Sequence, residues 1–300
     1  ALEKPAKPAL IGEAIAWFGA GSPGACMASA AYNYAGSDGK DSMTPKSKIW
    51  GIALAESAGL AATCVGTFAV TATGSGTYEI LTGGILVKVG IEVGDTPSIA
   101  GDKLVAAFNE LPNHRKVPFT AVNAVGAVTF TCNAKGAHGN TCGFSVLKTP
   151  SVGTTFSFAT AFPVNGTLYP TLTTALANAL AQMTALIATP WGTDTTSMVA
   201  LLGHANTKAA AGTELPCRVI GGANDTVSIV AGYAAAIDTN NGERVLLAGS
   251  RGAVSWVGHV AAWVAAIDAS EPHLARSLNG VTIPDMYPPA VASRYTKGEE

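Results

Sequence analysis

The feature that most constrains the fold is a change of residue pattern at two points along the chain. Residues 62–160 are rich in β-branched residues that alternate with polar ones between glycines, which predicts antiparallel strands. Residues 161–300 repeat a strand followed by a helix, which favours a parallel sheet with right-handed crossovers. A short apolar run at 48–56 predicts a further buried strand of that sheet. The sequence therefore predicts an α/β chain: a parallel-sheet domain formed by 1–61 and 161–300, with an inserted mainly β (α+β) domain at 62–160.

In the last third of the chain the residue pattern predicts the bounds of single helices and strands. One helix face carries apolar residues at helical spacing, namely Leu172, Leu176, Leu180, Met183 and Ile187. Three strand and helix pairs follow, with strands at 186–189, 217–222 and 244–249 and helices at 195–211, 226–237 and 254–267. The inserted domain predicts one helix, at 97–111.

Composition excludes several classes of protein. Only 13% of the 300 residues are charged, whereas about 25% is usual. No apolar run reaches the ~20 residues that cross a bilayer, so we expect no membrane insertion. A net charge of −2 with no basic cluster gives no case for nucleic acid. A surface so poor in charge suggests coverage by partners, although an alanine-rich α/β enzyme fits the same composition.

The cysteines indicate a reducing compartment. They are odd in number and widely spaced: Cys26, Cys64, Cys132, Cys142 and Cys217. No Cys-x-x-Cys pair occurs, so neither a zinc site nor a redox dithiol is predicted, and we expect buried thiols. The first ten residues, ALEKPAKPAL, lack the order of a signal peptide.

The stretch GAGSPG at 19–24 has the Gly-x-Gly-x-x-Gly spacing of dinucleotide-binding loops. In those folds the glycines follow a strand, and an acidic residue about 20 positions on binds the ribose. Here the preceding EAIAWF predicts a helix, Pro23 removes an amide, and Asp38 and Asp41 fall in a predicted loop. We interpret the three glycines as a turn between two packed helices, with no cofactor bound. They are Gly19, Gly21 and Gly24.

Polar residues follow the predicted parallel strands, where α/β ligand sites usually form. They are Asp194, Asn224, Asp225, Ser250 and Arg251. An enzyme that binds a nucleotide or small ester there is the alternative to a structural role. However, Ser250 is not in a Gly-x-Ser-x-Gly elbow. Asp194 and Asp225 each precede a predicted helix, where a carboxylate caps amides, and Ser250 could do the same.

The histidines predict no catalytic or metal site. His204 lies near the middle of a predicted helix with no histidine or carboxylate four residues on. His259 lies at the boundary of the apolar stripe of the last predicted helix. The stretch GAHGNTCG at 136–143 predicts a hairpin turn. We therefore predict no catalytic, cofactor-binding or metal-binding residues.

Taken in order, several stretches resemble the tail sheath protein of Mu-like contractile bacteriophages. They are FGAGSPGACMASAA, the long run GTYEILTGGILVKVGIEVGDTPSIAGDKLVAAFN, FTCNAKGAHGN, LIATPWGTDTTSMVALLGH, CRVIGGA, ERVLLAGS and the closing PPAVASRYTKGEE. The resemblance spans residues 10–300. It implies a non-catalytic, subtilisin-like α/β domain and an inserted β domain that faces outward.

The resemblance also implies a mechanical function. A sheath subunit polymerises around the tail tube, contacts the baseplate, and contracts to drive the tube through the host envelope. Such a polymer needs heterologous interfaces and contacts with two discrete arrangements. The implied partners are other copies of the subunit in a helical homopolymer, and the implied location is the virion tail, with host cytoplasm during assembly.

The chain departs from the family at both ends. It stops at KGEE, where the family continues into a tube-contacting domain, and it begins without the family's N-terminal arm. We therefore expect a trimmed fragment that is monomeric or weakly associating. Besides the enzyme, a surface adhesin built on residues 62–160 is a third interpretation.

Overall fold

A computed structural model describes residues 11–19, 21–32, 50–82, 85–110, 119–180, 184–210, 215, 217–240 and 242–250. The chain divides into two compact units. The first, which we call the β unit, comprises residues 56–168 together with 20–22, where the sequence predicts an insertion at 62–160. The second, the parallel-sheet unit, takes the rest of the chain. The expected mixture of helices with antiparallel and parallel strands is confirmed.

The described residues of the β unit form two antiparallel sheets. Sheet I has the order β4-β5-β1-β7, with β1 at Ala61–Ala69, β4 at Phe119–Ala124, β5 at Ala127–Lys135 and β7 at Thr155–Phe158. Sheet II has the order β3-β2-β6, with β2 at Gly76–Thr82, β3 at Ile85–Ile91 and β6 at Phe144–Lys148. A helix, α3, spans Pro97–Asn109, and a 3-10 helix spans Ala137–Thr141.

Aromatic side chains form the core of the β unit. Alternate residues of β1 and β5 are buried, as period-2 patterning requires. Phe144 of sheet II packs edge-on against Phe119 and tilted against Phe130 of sheet I. Helix α3 buries Phe108 against Phe130, with ring centroids 5.4 Å apart. The core of the β unit is thus formed within its own chain segment.

Hydrogen bonds join the two chain segments that enter and leave the β unit. The Leu60 N–H donates to Thr167 Oγ1 at 2.9 Å, and the Thr167 N–H donates to the Leu60 carbonyl at 3.3 Å. Thr63 and Val164 form an antiparallel bridge with both bonds at 2.8 Å. Gly59 lies so close to the Thr167 carbonyl that a Cβ would overlap it. We call this arrangement the clasp.

The parallel-sheet unit contains one three-stranded parallel sheet among the described residues. Its order is β10-β9-β8, with β8 at Leu186–Thr189, β9 at Arg218–Asn224 and β10 at Val245–Ser250. Helices α4 at Thr173–Ala179, α5 at Thr195–Ala209 and α6 at Val227–Asp238 lie between or before these strands. Met198, Leu202 and Val219 are the centre of its core. Helices α1 at Ile11–Phe18 and α2 at Pro23–Tyr32 contact each other.

The strand predicted at 48–56 is wrong over its described part. Within residues 50–56, Gly51 makes a single bridge and no strand forms. Leu54 instead packs as a partly buried side chain against the core of the parallel-sheet unit. A short apolar run has the same pattern whether it joins a sheet or only lines a core, so periodicity alone could not separate the two.

Two further predictions need correction. The helix expected to carry Ile187 ends at Ala179, and Ile187 lies on strand β8. The hairpin turn expected at 136–143 is a 3-10 helix, because β5 and β6 belong to different sheets and do not pair. Met183 and the predicted helix at 254–267 lie outside the described residues.

Within the part of the chain that the structure describes, no helix has the length and apolar character that crossing a membrane requires.

Candidate functional site

The candidate site is the C-terminal edge of the parallel sheet. Strand β8 ends at Thr189, opposite Gly221 of β9, whereas β9 continues to Asn224, opposite Ser250 of β10. The three described strands follow one another in a single direction across the sheet. In open α/β sheets the ligand crevice forms where this direction reverses, and no such reversal occurs among these three strands.

The loop after β8 packs against the last residues of β9, which extend beyond the end of β8. The Gly192 N–H donates to the Gly222 carbonyl at 3.0 Å. A Cβ on Gly192 would collide with that same carbonyl, and a Cβ on Gly221 would lie 3.0 Å from Gly192 Cα. Gly192, Gly221 and Gly222 are buried. Their lack of side chains lets two backbone segments touch, so this side of β9 is covered by the chain itself.

Asp194 caps helix α5, as predicted. Its carboxylate accepts a hydrogen bond from the Ser197 N–H at 3.2 Å, and its backbone has the extended conformation of an N-cap. Asp225 does not have the expected role, because the N-cap of α6 is Thr226. The Asp225 carboxylate instead accepts the Thr226 N–H at 2.7 Å. Both carboxylates therefore bind local backbone amides.

A hydroxyl cluster lies beside Asp194. The Tyr169 hydroxyl is 3.3 Å from Thr193 Oγ1. Burial raises the pKa of Tyr169, and the nearby Asp194 and Tyr233 act in the same direction, while the Thr193 hydrogen bond opposes them. Tyr169 is therefore a neutral hydrogen-bond group at neutral pH. Sequence reasoning missed this pair, because nothing in the local pattern links residues 24 positions apart.

His204 does not belong to this edge. It lies ten residues after Asp194, which corresponds to about 15 Å along the helix axis. Its ring is buried, its Nε2 has no hydrogen-bond partner among the described residues, and burial followed by the charge of Lys208 lowers its pKa. No base is thus brought to the strand ends by α5.

A second polar cluster lies near the other end of α5. Lys208 is completely buried, and its Nζ donates to Thr184 Oγ1 at 2.9 Å. Burial raises the pKa of Cys217, which immediately precedes β9, and the charge of Lys208 and a hydrogen bond with Thr184 oppose that rise. The burial of Lys208 could have been predicted from the sequence. Lys208 follows Met198, Leu201 and Ala205 at helical spacing and therefore lies on the same buried face of α5.

The remaining candidates are accounted for as follows. Ser250 ends β10, but its side chain, Arg251 and His259 lie outside what the structure describes. His138 is buried in the 3-10 helix, and burial lowers its pKa to about 4. Within the described residues, no group of three or more His, Cys, Asp or Glu side chains is arranged to hold a metal ion. None of the five cysteines forms a disulfide.

The GAGSPG stretch has the geometry of a turn after a helix. Helix α1 precedes it, as predicted, where a dinucleotide fold requires a strand. Gly19 and Gly21 have positive φ angles of 84° and 74°. A Cβ on Gly24 would lie 2.7 Å from the Phe18 ring, so glycine lets the start of α2 approach the end of α1.

No family model matches the chain, and none of the curated proteins matches it either.

Proposed function

We propose that this chain is a structural subunit of a contractile phage tail sheath, with a non-catalytic α/β domain that carries an inserted β domain. The observation that carries the proposal is the nesting of the two units. A continuous antiparallel unit at 56–168 interrupts a chain whose later part forms parallel strands and helices. The stretches that resemble the sheath family follow this same order along the chain.

Two features of the described residues support a structural role. The strand ends, where an α/β enzyme would bind its substrate, are covered on one side by the Gly192 backbone. The carboxylates predicted to lie there are bonded to backbone amides. The work of such a subunit is mechanical, because free energy is stored in contacts between copies and released when those contacts change arrangement.

Electron microscopy tests the proposal. The protein is expressed from its complete natural reading frame, purified and examined in negative stain. We expect long striated tubes of regular diameter. Discrete particles at every concentration, with no tubes, would contradict the proposed sheath function. The same preparation of the 300-residue chain alone is examined in parallel.

The second candidate is an α/β enzyme that binds a nucleotide or small ester at the strand ends. The observation that favours it is the half-buried Tyr169 and Thr193 hydroxyl pair beside Asp194. A ligand that binds only the native state raises the melting temperature. Thermal melting in the presence of nucleotides and short-chain esters therefore tests this candidate, and an increase that Tyr169→Phe abolishes would favour it over the sheath.

A further inference from the structure

The clasp contains an Asn-Gly pair, the dipeptide in which asparagine deamidates most readily. The chain has three such pairs, at 165–166, 241–242 and 279–280, of which only the first lies wholly within the described residues. Glycine makes the pair reactive because it has no side chain to block attack of its backbone nitrogen on the preceding carboxamide. Asn165 is exposed and therefore accessible to the water that the reaction consumes.

The fold favours asparagine at 165 and requires glycine at 166. Asn165 has a positive φ of 68°, in the left-handed region that asparagine adopts more readily than most residues with a Cβ. A Cβ on Gly166 would collide with the Gly136 carbonyl oxygen and with Asn140 Oδ1. Packing therefore excludes a bulkier and less reactive residue after Asn165, and the reactive pair is part of the clasp.

Asn140 of the 3-10 helix holds the nucleophile of this reaction. The Gly166 N–H donates to Asn140 Oδ1 at 3.0 Å, and Asn140 Nδ2 donates to the Gly166 carbonyl at 2.9 Å. The Asn165 carboxamide is held separately, since its Nδ2 donates to Thr63 Oγ1 at 3.3 Å. Attack requires that the Gly166 nitrogen lose its proton and turn toward the Asn165 side chain, so its bonds to Asn140 must break first. We call these two bonds the Asn140 lock.

We propose that Asn165 is a site of spontaneous deamidation that the Asn140 lock holds inactive. When the lock opens, the deprotonated Gly166 nitrogen forms a bond to Asn165 Cγ. The Cγ–Nδ2 bond then breaks, and the side-chain nitrogen takes up a proton and leaves as ammonia. Water opens the resulting succinimide ring at either carbonyl carbon, which yields aspartate or isoaspartate. The reaction consumes only water and needs no oxidant or cofactor.

Isoaspartate changes the length of the backbone in the clasp. Val164 and Thr167 are three residues apart, as are their partners Thr63 and Leu60, so both pairs fit one antiparallel register. Isoaspartate adds one carbon atom to the backbone between Val164 and Thr167, and the two segments then differ in length. Both pairs can no longer form without distortion. The reaction therefore converts a transient opening of the lock into a lasting weakening of the clasp.

Peptide mapping by mass spectrometry tests the proposal on the whole 300-residue chain. Wild type and Asn140→Ala are incubated in mildly alkaline buffer, and aspartate and isoaspartate at position 165 are measured over time. Loss of two hydrogen bonds should raise the rate at Asn165 by at least about fivefold. Asn279, which also precedes a glycine, is the internal reference in every digest, and its rate should be the same in both proteins. Equal rates at Asn165 would overturn the proposal.

Ser57→Ala is the matched control variant. It removes the hydrogen bonds that Ser57 Oγ makes with the Leu168 carbonyl and the Gly59 N–H, so it weakens the same end of the β unit without touching the lock. We expect its rate at Asn165 to match that of the wild type. An increase as large as that in Asn140→Ala would overturn the proposal, because general loosening of the unit would then control the reaction.

Unfolding the wild type provides a measurement that needs no variant. Urea breaks the lock together with the rest of the fold, so the rate at Asn165 should again rise by at least about fivefold over that of the folded chain. A folded chain that deamidates at Asn165 as fast as the unfolded chain has no lock, and the proposal falls.

The stability of the modified chain tests the effect on the clasp. Isoaspartate-containing and unmodified fractions of the same aged sample are separated and unfolded in urea. We expect the isoaspartate fraction to unfold at the lower urea concentration. Equal midpoints would overturn the proposed weakening of the clasp.

Discussion

Val125 occupies a backbone conformation that its side chain disfavours. It is the first of the two turn residues between β4 and β5, with a φ of 53°, and Gly126 follows with a φ of 90°. Two positive φ angles define a type I′ hairpin turn, in which Asn-Gly is the preferred pair. The valine is 86% exposed, so its packing does not offset the strain.

We expect Val125→Asn to stabilise the protein. Left-handed backbone costs about 1–2 kcal/mol for a residue with a Cβ and less for asparagine, so the free energy of unfolding should rise by about 1 kcal/mol. Urea denaturation measures this change. Val93→Asn is the control, because Val93 is 68% exposed in a turn but has no positive φ. An equal gain from both substitutions would refute the strain argument.

Two buried histidines make stability depend on pH. Burial lowers the pKa of His138 to about 4, and it lowers the pKa of His204 as well. A pKa of about 6.5 in the unfolded chain means that unfolding takes up protons between pH 6.5 and 4. The free energy of unfolding should therefore be highest above pH 6.5 and fall as the pH decreases, with His138 contributing about 3 kcal/mol over that range.

The His138→Gln variant tests this contribution. Its stability at pH 7 should be lower than that of the wild type, because a buried ring is lost. Its stability should nevertheless fall less steeply between pH 6.5 and 4, since one titrating group is gone. Urea denaturation at a series of pH values gives both slopes, and parallel slopes would show that His138 does not titrate as its burial requires.

At the scale of the element, the glycine in the loop after β8 controls how that loop packs on β9. Gly192→Ala places a methyl group against the Gly222 carbonyl, and such overpacking costs about 1–3 kcal/mol. Gly203→Ala is the matched control, because a Cβ added at Gly203 of α5 would point into open space. It should stabilise the protein by about 0.5–1 kcal/mol through helix propensity. Thermal or urea denaturation measures the stability of both variants. If both substitutions change the free energy of unfolding in the same direction, the close approach of Gly192 to β9 does not limit the packing.

The N-terminus of α5 depends on a single side chain. Asp194→Ala removes the acceptor of the Ser197 N–H and should lower the free energy of unfolding by about 1 kcal/mol. Asp194→Asn keeps an acceptor oxygen and should restore most of that loss. If both variants lose the same amount, the charge of Asp194 matters more than its hydrogen bond, and its role is not that of a simple cap.

The elements with strong periodicity were predictable from the sequence. The strands β8, β9 and β10 and the helices α5 and α6 lie where alternation of apolar strands and amphipathic helices predicts them. The short run at 48–56 was not predictable, because residues 50–56 form no strand and Leu54 packs against a core instead. The cap by Asp194 followed from local sequence, whereas the contact of Tyr169 with Thr193 depends on tertiary folding that no local pattern encodes.

For the whole molecule, the clasp sets where the β unit begins and ends. The alternating pattern weakens before residue 62 and after residue 160, so the sequence predicts those limits. The hydrogen bonds of Leu60 with Thr167 and of Ser57 with the Leu168 carbonyl extend the unit outward at both ends. These bonds hold the chain ends of the unit together, as in domains that tolerate insertion.

We expect residues 56–168 to fold alone in one cooperative transition, because their aromatic core is built within the segment and their ends are joined. The shorter segment 62–160 retains most of that core but lacks Leu60, Val164 and Thr167. It loses the four hydrogen bonds of the clasp and several others that residues 56–61 and 161–168 make with the rest of the unit. Since each bond is worth about 0.5–1.5 kcal/mol, the shorter segment should be less stable by at least about 2 kcal/mol. Urea denaturation of both purified segments measures the difference. Equal stability would show that the clasp is not part of the folding unit, and an unfolded 56–168 segment would show that the β unit requires the rest of the chain.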